Sequence, residues 1–282
     1  MSLPLISIVI PTFERENYLE SACHTASNQT YKNIEIIVVD DNSTSSYKNA
    51  LDNIKHLNIK YIKRNKNGGG SAARNDGIKA ASGSYIAFLD DDDTWETTKL
   101  EKQMAVITDE IKAAHCGYRL KSNSKVRIEN KNVITLDDLK ENNKLASTTG
   151  LLCETTILRK LMFDDTLHRS QDWDLYLRIA VITPFAYVQE PLYIYDDGDH
   201  ARMSNKFAKL TLNEYRLKLD MLKKHKNTLY TDAFNKHVAE LILPSLKDRK
   251  DKLTIFKFCV EEIGLIQTIR YLYKISLKKF LQ

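Results

Sequence analysis

The sequence predicts an α/β fold: a mostly parallel, Rossmann-like sheet flanked by helices, with a C-terminal helical extension. Three observations carry this. Short, uninterrupted apolar runs recur through the first third of the chain, each followed by a segment with helical spacing. Aspartates stand directly after two of those runs, where strands of an open parallel sheet deliver ligand-binding groups. From Phe207 onward the strand-like runs give way to apolar residues at helical intervals.

The elements follow in order. Leu5–Ile10, closed by Pro11, is a buried strand, and Glu16–Asn28 carries Leu19, Ala22, Cys23 and Ala26 on one helical face. Ile34–Val39 is a β-branched strand, Tyr47–Lys55 a helix, Ile59–Ile62 a strand and Ser71–Ala81 a helix. Tyr85–Leu89 is a strand and Glu96–Thr108 a helix. Runs that do not alternate in polarity belong to strands covered on both faces. Ala113–Leu120 and Lys125–Ile128 form a hairpin through Ser122, Asn123 and Ser124, and Leu151–Ile157 reads as a strand. Trp173–Ile182 is an amphipathic helix, and Tyr187–Tyr195 holds short strands around Pro191. Leu212, Tyr215, Leu219 and Leu222, and later Phe256, Cys259, Ile263, Ile266, Ile269 and Tyr273, repeat at helical spacing. A boundary near residue 205 separates an α/β domain, 1–205, from a helical extension, 206–282.

The composition narrows the function classes. At 43% hydrophobic and 28% charged, the 282 residues are ordinary globular material. A net charge of +5 is too weak a bias to imply nucleic acid, but suits an anionic membrane surface or a phosphate-bearing substrate. The four cysteines include no CxxC pair and read as reduced thiols of a cytoplasmic protein. The start, MSLPLISIVIP, lacks the basic region of a signal peptide, and no segment reaches the roughly 18 apolar residues of a membrane span.

Two acidic clusters and one Gly-rich turn carry the chemistry. Asp40 and Asp41 follow Ile36–Val39, and Asp90, Asp91, Asp92 and Asp93 follow Tyr85–Leu89. Four successive carboxylates after a buried strand repel one another unless compensated, and a hard divalent ion, Mn²⁺ or Mg²⁺, is the natural partner. The alternative is a solvated turn in which Asp93 or Thr94 caps the next helix. In Asn67–Asn75, glycines allow close backbone approach to a ligand, the following helix start favours anions, and Arg74 reaches back toward a phosphate or carboxylate. A flexible turn with a surface arginine is the alternative. No GKS or GKT follows these glycines, and Pro11–Arg15 replaces a GxGxxG after the first strand, so a P-loop and a dinucleotide oxidoreductase are both disfavoured.

Taken in order, five segments resemble the inverting family-two glycosyltransferases of bacterial surface-glycan type. They are Ser7–Arg15, Val38–Ser43, Asn67–Gly69 with Ala73–Gly77, Phe88–Trp95 and Gln171–Arg178, and together they span roughly residues 5–205. The resemblance implies a GT-A fold, a nucleoside-diphosphate sugar donor, usually UDP-linked, and hexosyl or N-acetylhexosaminyl transfer. Carried over by position, Pro11, Phe13 and Arg15 line the nucleotide pocket. Asp41, rather than Asp40, reads the uracil edge, and Arg74, behind Gly69, meets the base or diphosphate. Asp90 lies nearer the ribose and Asp92 binds the metal; Asp91 beside them leaves the register open by one position. An inverting transfer also needs a base on the acceptor side. The family carries it in a Glu-Asp pair that opens a helix; here the pair is Gln171-Asp172. Asp172 is therefore the base, with Asp174 or a mere helix-capping role for Asp172 as alternatives. Gln171 hydrogen-bonds the acceptor, and Trp173 walls the pocket. In the loop Asp196–Ser204, His200 completes the metal shell while Arg202 and Ser204 hold phosphate oxygens, closing over the donor.

The lysine-rich C-terminal helices suit either attachment to the inner face of the cytoplasmic membrane, where lipid-linked glycan acceptors reside, or a homo-oligomer surface. The expected reaction adds one sugar to a growing lipopolysaccharide or capsule repeat. Its rivals are a non-catalytic nucleotide-sugar or glycan-binding module and a nucleotidyltransferase; the latter lacks its Gly-rich, basic motif after the first strand.

Overall fold

A computed structural model describes residues 3–198 and 210–280 of the chain. In order, the elements are β1 Ile6–Thr12, α1 Glu16–Ser27, β2 Ile34–Asp40, α2 Lys48–Ile54, β3 Ile59–Lys63, α3 Gly69–Ala80 and β4 Tyr85–Phe88. There follow β5 Thr94–Trp95, α4 Lys99–Met104, β6 Ala113–Leu120, β7 Val126–Arg127, β8 Val133–Ile134 and α5 Leu136–Glu141. Then come β9 Leu152–Glu154, α6 Thr155–Leu161, α7 Gln171–Ala180, β10 Phe185–Tyr195, α8 Leu212–Lys224, α9 Lys226–Ile242, α10 Lys252–Ile263 and α11 Leu265–Phe280.

The strands form one mixed sheet in the order β3-β2-β1-β4-β9-β6-β10-β5, with β7 on β6 and β8 on β10. The first four pair in parallel, Ile8 standing opposite both Ile36 and Ala87. The residues of β1, β2 and β4 are buried on both faces, as runs without alternation require: Ile8, Val9, Ile10, Ile37, Val38 and Phe88 have no accessible surface, whereas the edge strand β3 leaves Lys60 and Lys63 exposed. Each such side chain contributes about 1.5–3 kcal/mol by leaving water. Beyond β4 the sheet is no longer parallel throughout, because β9 runs antiparallel to both β4 and β6. The expected hairpin is present as β6 and β7, with Ser124 at φ 58° in its turn.

Three expectations are corrected. The helix expected over Glu96–Thr108 shrinks to Lys99–Met104, since Thr94 and Trp95 pair with β10 and Trp95 Nε1 donates to the Thr149 carbonyl at 3.1 Å. The strand expected over Leu151–Ile157 stops at Glu154, because Thr155 turns into α6: its N–H donates to the Ser84 carbonyl (2.9 Å) and its hydroxyl to the Gly83 carbonyl (2.6 Å). Helix α3 begins at Gly69, two residues early, so Arg74 sits in its second turn.

The described residues fall into two compact units, 3–165 with 171–198, and 166–170 with 210–280. The boundary expected near residue 205 lies outside the described residues. In the second unit, Thr211 and Glu214 close a capping box at the start of α8, satisfying two otherwise orphaned N–H groups. Tyr215, Leu219, Leu229, Phe234, Val238 and Phe258 fill its core. Gly264, at φ 81° and ψ 157°, separates α10 from α11 in a conformation essentially reserved for glycine. Among the described residues no helix is long and apolar enough to cross a membrane, and all four cysteines are buried and free.

Candidate active site

The predicted carboxylates gather beyond the carboxyl ends of β1, β2 and β4, with α7 supplying one more. The Asp40–Asp41 pair divides its labour. Asp40 is fully buried and accepts from the Ser43 N–H (2.8 Å) and the Tyr61 hydroxyl (2.7 Å), which holds the turn after β2. Asp41 accepts from the N–H groups of Gly68 (3.0 Å) and Gly69 (2.6 Å) and forms an ion pair with Arg64. It thus satisfies the start of α3, where Gly68 offers no side-chain cap and Gly69 sits at φ 81°. The Gly-rich turn is pinned by a carboxylate of the neighbouring strand.

The four-aspartate run also splits. Asp91 accepts from the Thr12 hydroxyl at 2.7 Å and from Arg15 at 3.0 Å, and Asp92 accepts from the same Arg15 nitrogen at 2.8 Å. Burial pushes the Asp91 carboxyl up to about 6, against the opposing pull of Thr12 and Arg15. Tyr47 steadies this corner: its hydroxyl lies 3.0 Å from that of Thr12 and accepts from the Arg15 N–H at 2.8 Å. Asp93 turns inward, accepting from the Thr149 hydroxyl (2.6 Å) and the Asp196 N–H (2.9 Å). Burial, reinforced by the charges of Asp90 and Asp92, holds its pKa well above the usual carboxylate range. It is a brace between β4 and the end of β10, not a helix cap. Asp90 remains the most exposed of its run's ion-paired members and forms an ion pair with Arg74.

Arg74 is the hub. Its guanidinium packs 5.7 Å from the Phe163 ring centre, and its Nε is buried without a partner among the described residues. Burial alone would weaken its charge, but Asp90, Tyr176 and Asp172 more than offset that, and its pKa rises. Asp172, in the first turn of α7, is half-buried. Desolvation pushes its carboxyl up to about 6, opposed by the Trp173 N–H, Asn143 and Arg74. Asn143 donates to it at 3.2 Å. Tyr176 lies one turn further on the same helical face, its buried hydroxyl without a partner among the described residues and its pKa raised by burial and by Asp172 and Asp90. Asp174, the alternative base, is fully buried and doubly bonded to Arg178 at 3.0 and 2.6 Å.

The remaining predicted residues fall as follows. Pro11 is buried in β1 opposite Val39, while Phe13 is 43% exposed just beyond the strand. Gln171 opens α7, half-buried, and Trp173 donates its indole N–H to the Leu139 carbonyl at 2.9 Å. His200, Arg202 and Ser204 lie outside the described residues. Sequence reading missed Tyr47, Asn143, Thr149, Phe163 and Tyr176. Of these, only Tyr176 carried a signal, its four-residue spacing from Asp172. A separate cavity of about 250 Å³, bordered by Ser27, Lys32, Ile34 and Leu57, lies at the opposite end of β2 and holds none of these groups.

Among the described residues no three His, Cys, Asp or Glu side chains converge as a metal cage. Asp90 and Asp92 each keep a partly accessible carboxylate, paired with Arg74 and Arg15 respectively, and carboxylate oxygens are donors of the kind a hard divalent ion takes.

Residues 7–181 match the family model described as Glycosyl transferase family 2. An uncharacterized glycosyltransferase of Haemophilus influenzae is 32% identical over 79% of this chain and 93% of its own length. The Escherichia coli protein WfaP, a UDP-Glc:alpha-D-GlcNAc-diphosphoundecaprenol beta-1,3-glucosyltransferase, is 39% identical over 41% of this chain and 47% of its own. The putative teichuronic acid biosynthesis glycosyltransferase TuaG of Bacillus subtilis is 34% identical over 42% of this chain and 48% of its own. Among solved structures, Staphylococcus aureus TarS in complex with UDP-GlcNAc covers 92% of this chain and 81% of its own at a TM-score of 0.71 and 18% identity. The mannosyltransferase PcManGT of Pyrobaculum calidifontis, in complex with GDP-Man and Mn²⁺, covers 97% and 80% at 0.65 and 14%. These likenesses carry the GT-A-like fold, and the family match, which runs from β1 through α7 and takes in every carboxylate described above, carries the class: the chain belongs to glycosyl transferase family 2.

Proposed function

We propose that this glycosyltransferase moves a sugar, with inversion, from a UDP-linked donor to a hydroxyl of a glycan acceptor in bacterial surface-polysaccharide assembly. The observation that carries the reading is Arg74, which forms an ion pair with Asp90 at the end of β4 and is electrostatically coupled to Asp172 at the start of α7. The carboxylates read as donor-side and acceptor-side thus both act on the charge of one arginine. The named activity of WfaP and the UDP-GlcNAc bound to TarS support a UDP-linked donor, the GDP-Man bound to PcManGT supports a nucleotide-sugar donor more broadly, and the names of WfaP and TuaG support a surface-glycan acceptor.

In this reading the nucleotide lies along Pro11, Phe13 and Arg15, with Asp41 and Gly69 framing the base side and Arg74 facing the diphosphate. Asp40, consumed by Ser43 and Tyr61, acts by holding the turn. Asp92, with Asp90 beside it, would hold Mn²⁺ or Mg²⁺ against the diphosphate; the ion supplies Lewis-acid stabilisation of the leaving group. Arg15, now bonded to Asp91 and Asp92, can share that task. Asp172 takes the proton of the acceptor hydroxyl as its oxygen bonds to the anomeric carbon from the far side. The bond from that carbon to the diphosphate oxygen breaks, and its electron pair leaves with the nucleoside diphosphate. Gln171 and Trp173 line the acceptor side.

The test is release of UDP from a panel of UDP-sugars with candidate acceptors, with the product anomer read by NMR. Inverted product from the native chain, and none from Asp172→Asn with donor binding intact, supports the reading. An Asp172→Asn variant as active as the parent refutes it and favours a binding module.

A further inference from the structure

Helix α11 carries two apolar faces, and only one is used. Thr268 is fully buried, and Tyr271, Leu272 and Ile275 are partly buried on that same side. On a separate arc, Leu265, Ile266, Ile269 and Tyr273 stand 53%, 81%, 54% and 66% exposed. At 3.6 residues per turn these four span about 100° of the helix circumference, the width of a docking stripe rather than of scattered surface residues. Arg270 and Lys274 flank the stripe on its solvent side, both exposed and neither with a carboxylate partner among the described residues.

Charge decides between the occupants of such a stripe. Helix α11 holds four basic residues, Arg270, Lys274, Lys278 and Lys279, and no acidic one. Residues 210–282 contain fifteen Lys and Arg against eight Asp and Glu, so the whole chain's excess of +5 resides there and the remainder is slightly acidic. A second copy of the chain docked by two-fold pairing of this stripe would set the same cations against each other. An anionic surface offers the opposite: apolar depth for Ile266, Ile269 and Tyr273, and negative charge for the flanking Arg and Lys. Leu253, Lys252 and Lys257 on α10 are exposed as well.

We infer that α11 is an interfacial helix that seats the protein on an anionic lipid bilayer, its Leu265–Tyr273 stripe in the acyl boundary and its basic residues among the headgroups. The inference rests on α11 alone and is independent of the catalytic reading.

The experiment is co-sedimentation of the full chain with vesicles of phosphatidylglycerol and phosphatidylethanolamine, against vesicles of phosphatidylcholine only. Native chain should bind the anionic vesicles and lose roughly tenfold in partitioning when salt shortens the screening length from about 10 Å to a few ångströms. Ile266→Ser/Ile269→Ser/Tyr273→Ser should lose on the order of tenfold or more. Arg270→Glu/Lys274→Glu should lose binding to anionic vesicles while keeping the native circular dichroism spectrum. Because all five side chains are exposed, both variants should fold. Asp172→Asn must bind vesicles like the parent, which separates this surface from the active site. Absence of vesicle binding, equal binding by the stripe variant, or a native dimer in light scattering that the stripe variant abolishes would each overturn the inference.

Discussion

Arg74 and Asp90 form an ion pair that joins the second turn of α3 to the segment leaving β4. Each is placed by a different part of the fold. Asp41 anchors the start of α3 through Gly68 and Gly69, whereas the Ser147 and Thr148 hydroxyls, each 3.4 Å away, flank Asp90. The pair keeps a cation beside Asp90, as Arg15 does beside Asp91 and Asp92, and the Arg74 charge stands within electrostatic reach of Asp172. Four predictions follow from this arrangement and its surroundings.

Asp172→Asn is expected to lower kcat by about 10²–10⁴-fold, the usual contribution of a general base, with donor affinity nearly unchanged. Read as the base, Asp172 would work only when ionised. With its carboxyl at about 6, kcat should fall as pH drops through that value, and steady-state kinetics between pH 5 and pH 8 would show the limb. The same shift bears on stability. The folded value lies above the unfolded one, so the associated stability is present below about pH 4 and is lost as pH rises through about 6. Asp172→Asn should therefore raise the melting temperature at pH 7.5, by no more than about 3 kcal/mol in free energy, and leave it unchanged at pH 4. An acid limb that survives in the variant would count against the assignment.

Asp92→Ala should abolish the stimulation of turnover by Mn²⁺ or Mg²⁺, while the fold, monitored by circular dichroism, persists because Arg15 retains Asp91 at 3.0 Å. Cation titrations before and after chelation provide the measurement. Native turnover unaffected by exhaustive chelation would eliminate the metal role.

Asp93 should behave as a structural residue. Asp93→Ala strands the Thr149 hydroxyl and the Asp196 N–H and is expected to cost about 1–3 kcal/mol in urea unfolding. Asp93→Asn preserves an acceptor for Asp196 and a partner for Thr149, and should recover most of that loss. Equal destabilisation by the two variants would show that the charge itself, not the bonding, matters.

Tyr176→Phe removes a buried hydroxyl that has no partner among the described residues. The expected result is a free protein as stable as the parent, or more stable by about 1 kcal/mol. If the hydroxyl finds its partner in bound substrate, KM for donor or acceptor rises while the fold is unharmed. A clear drop in melting temperature would mean that the hydroxyl already has a partner.

The central strands were legible because burial on both faces imposes uninterrupted apolar runs, and Ile6–Thr12 and Ile34–Asp40 display them plainly. The clustering of carboxylates after those strands was legible for a related reason: only a chain end leaving a covered sheet can expose charge there. Short elements were not. Thr94–Trp95 has no periodicity of its own and becomes a strand only because β10 is beside it. Thr155 leaves the strand pattern because the carbonyls of Gly83 and Ser84 capture it.

Within the site, the sequence by itself determined which residue types arrive at the sheet edge: the Asp90–Asp93 run, Asp172 at a helix start, and Arg74 behind a Gly-rich turn. Tertiary structure alone decided their division of labour. Asp40 and Asp93 turn into the protein to hold backbone and hydroxyl groups, while Asp90 and Asp92 meet guanidinium groups. Neighbouring aspartates are chemically identical in the chain. They become different only when strands distant in sequence surround one with hydroxyl and N–H donors and another with a cation, since desolvation and local charge, not residue type, set what a carboxylate can do.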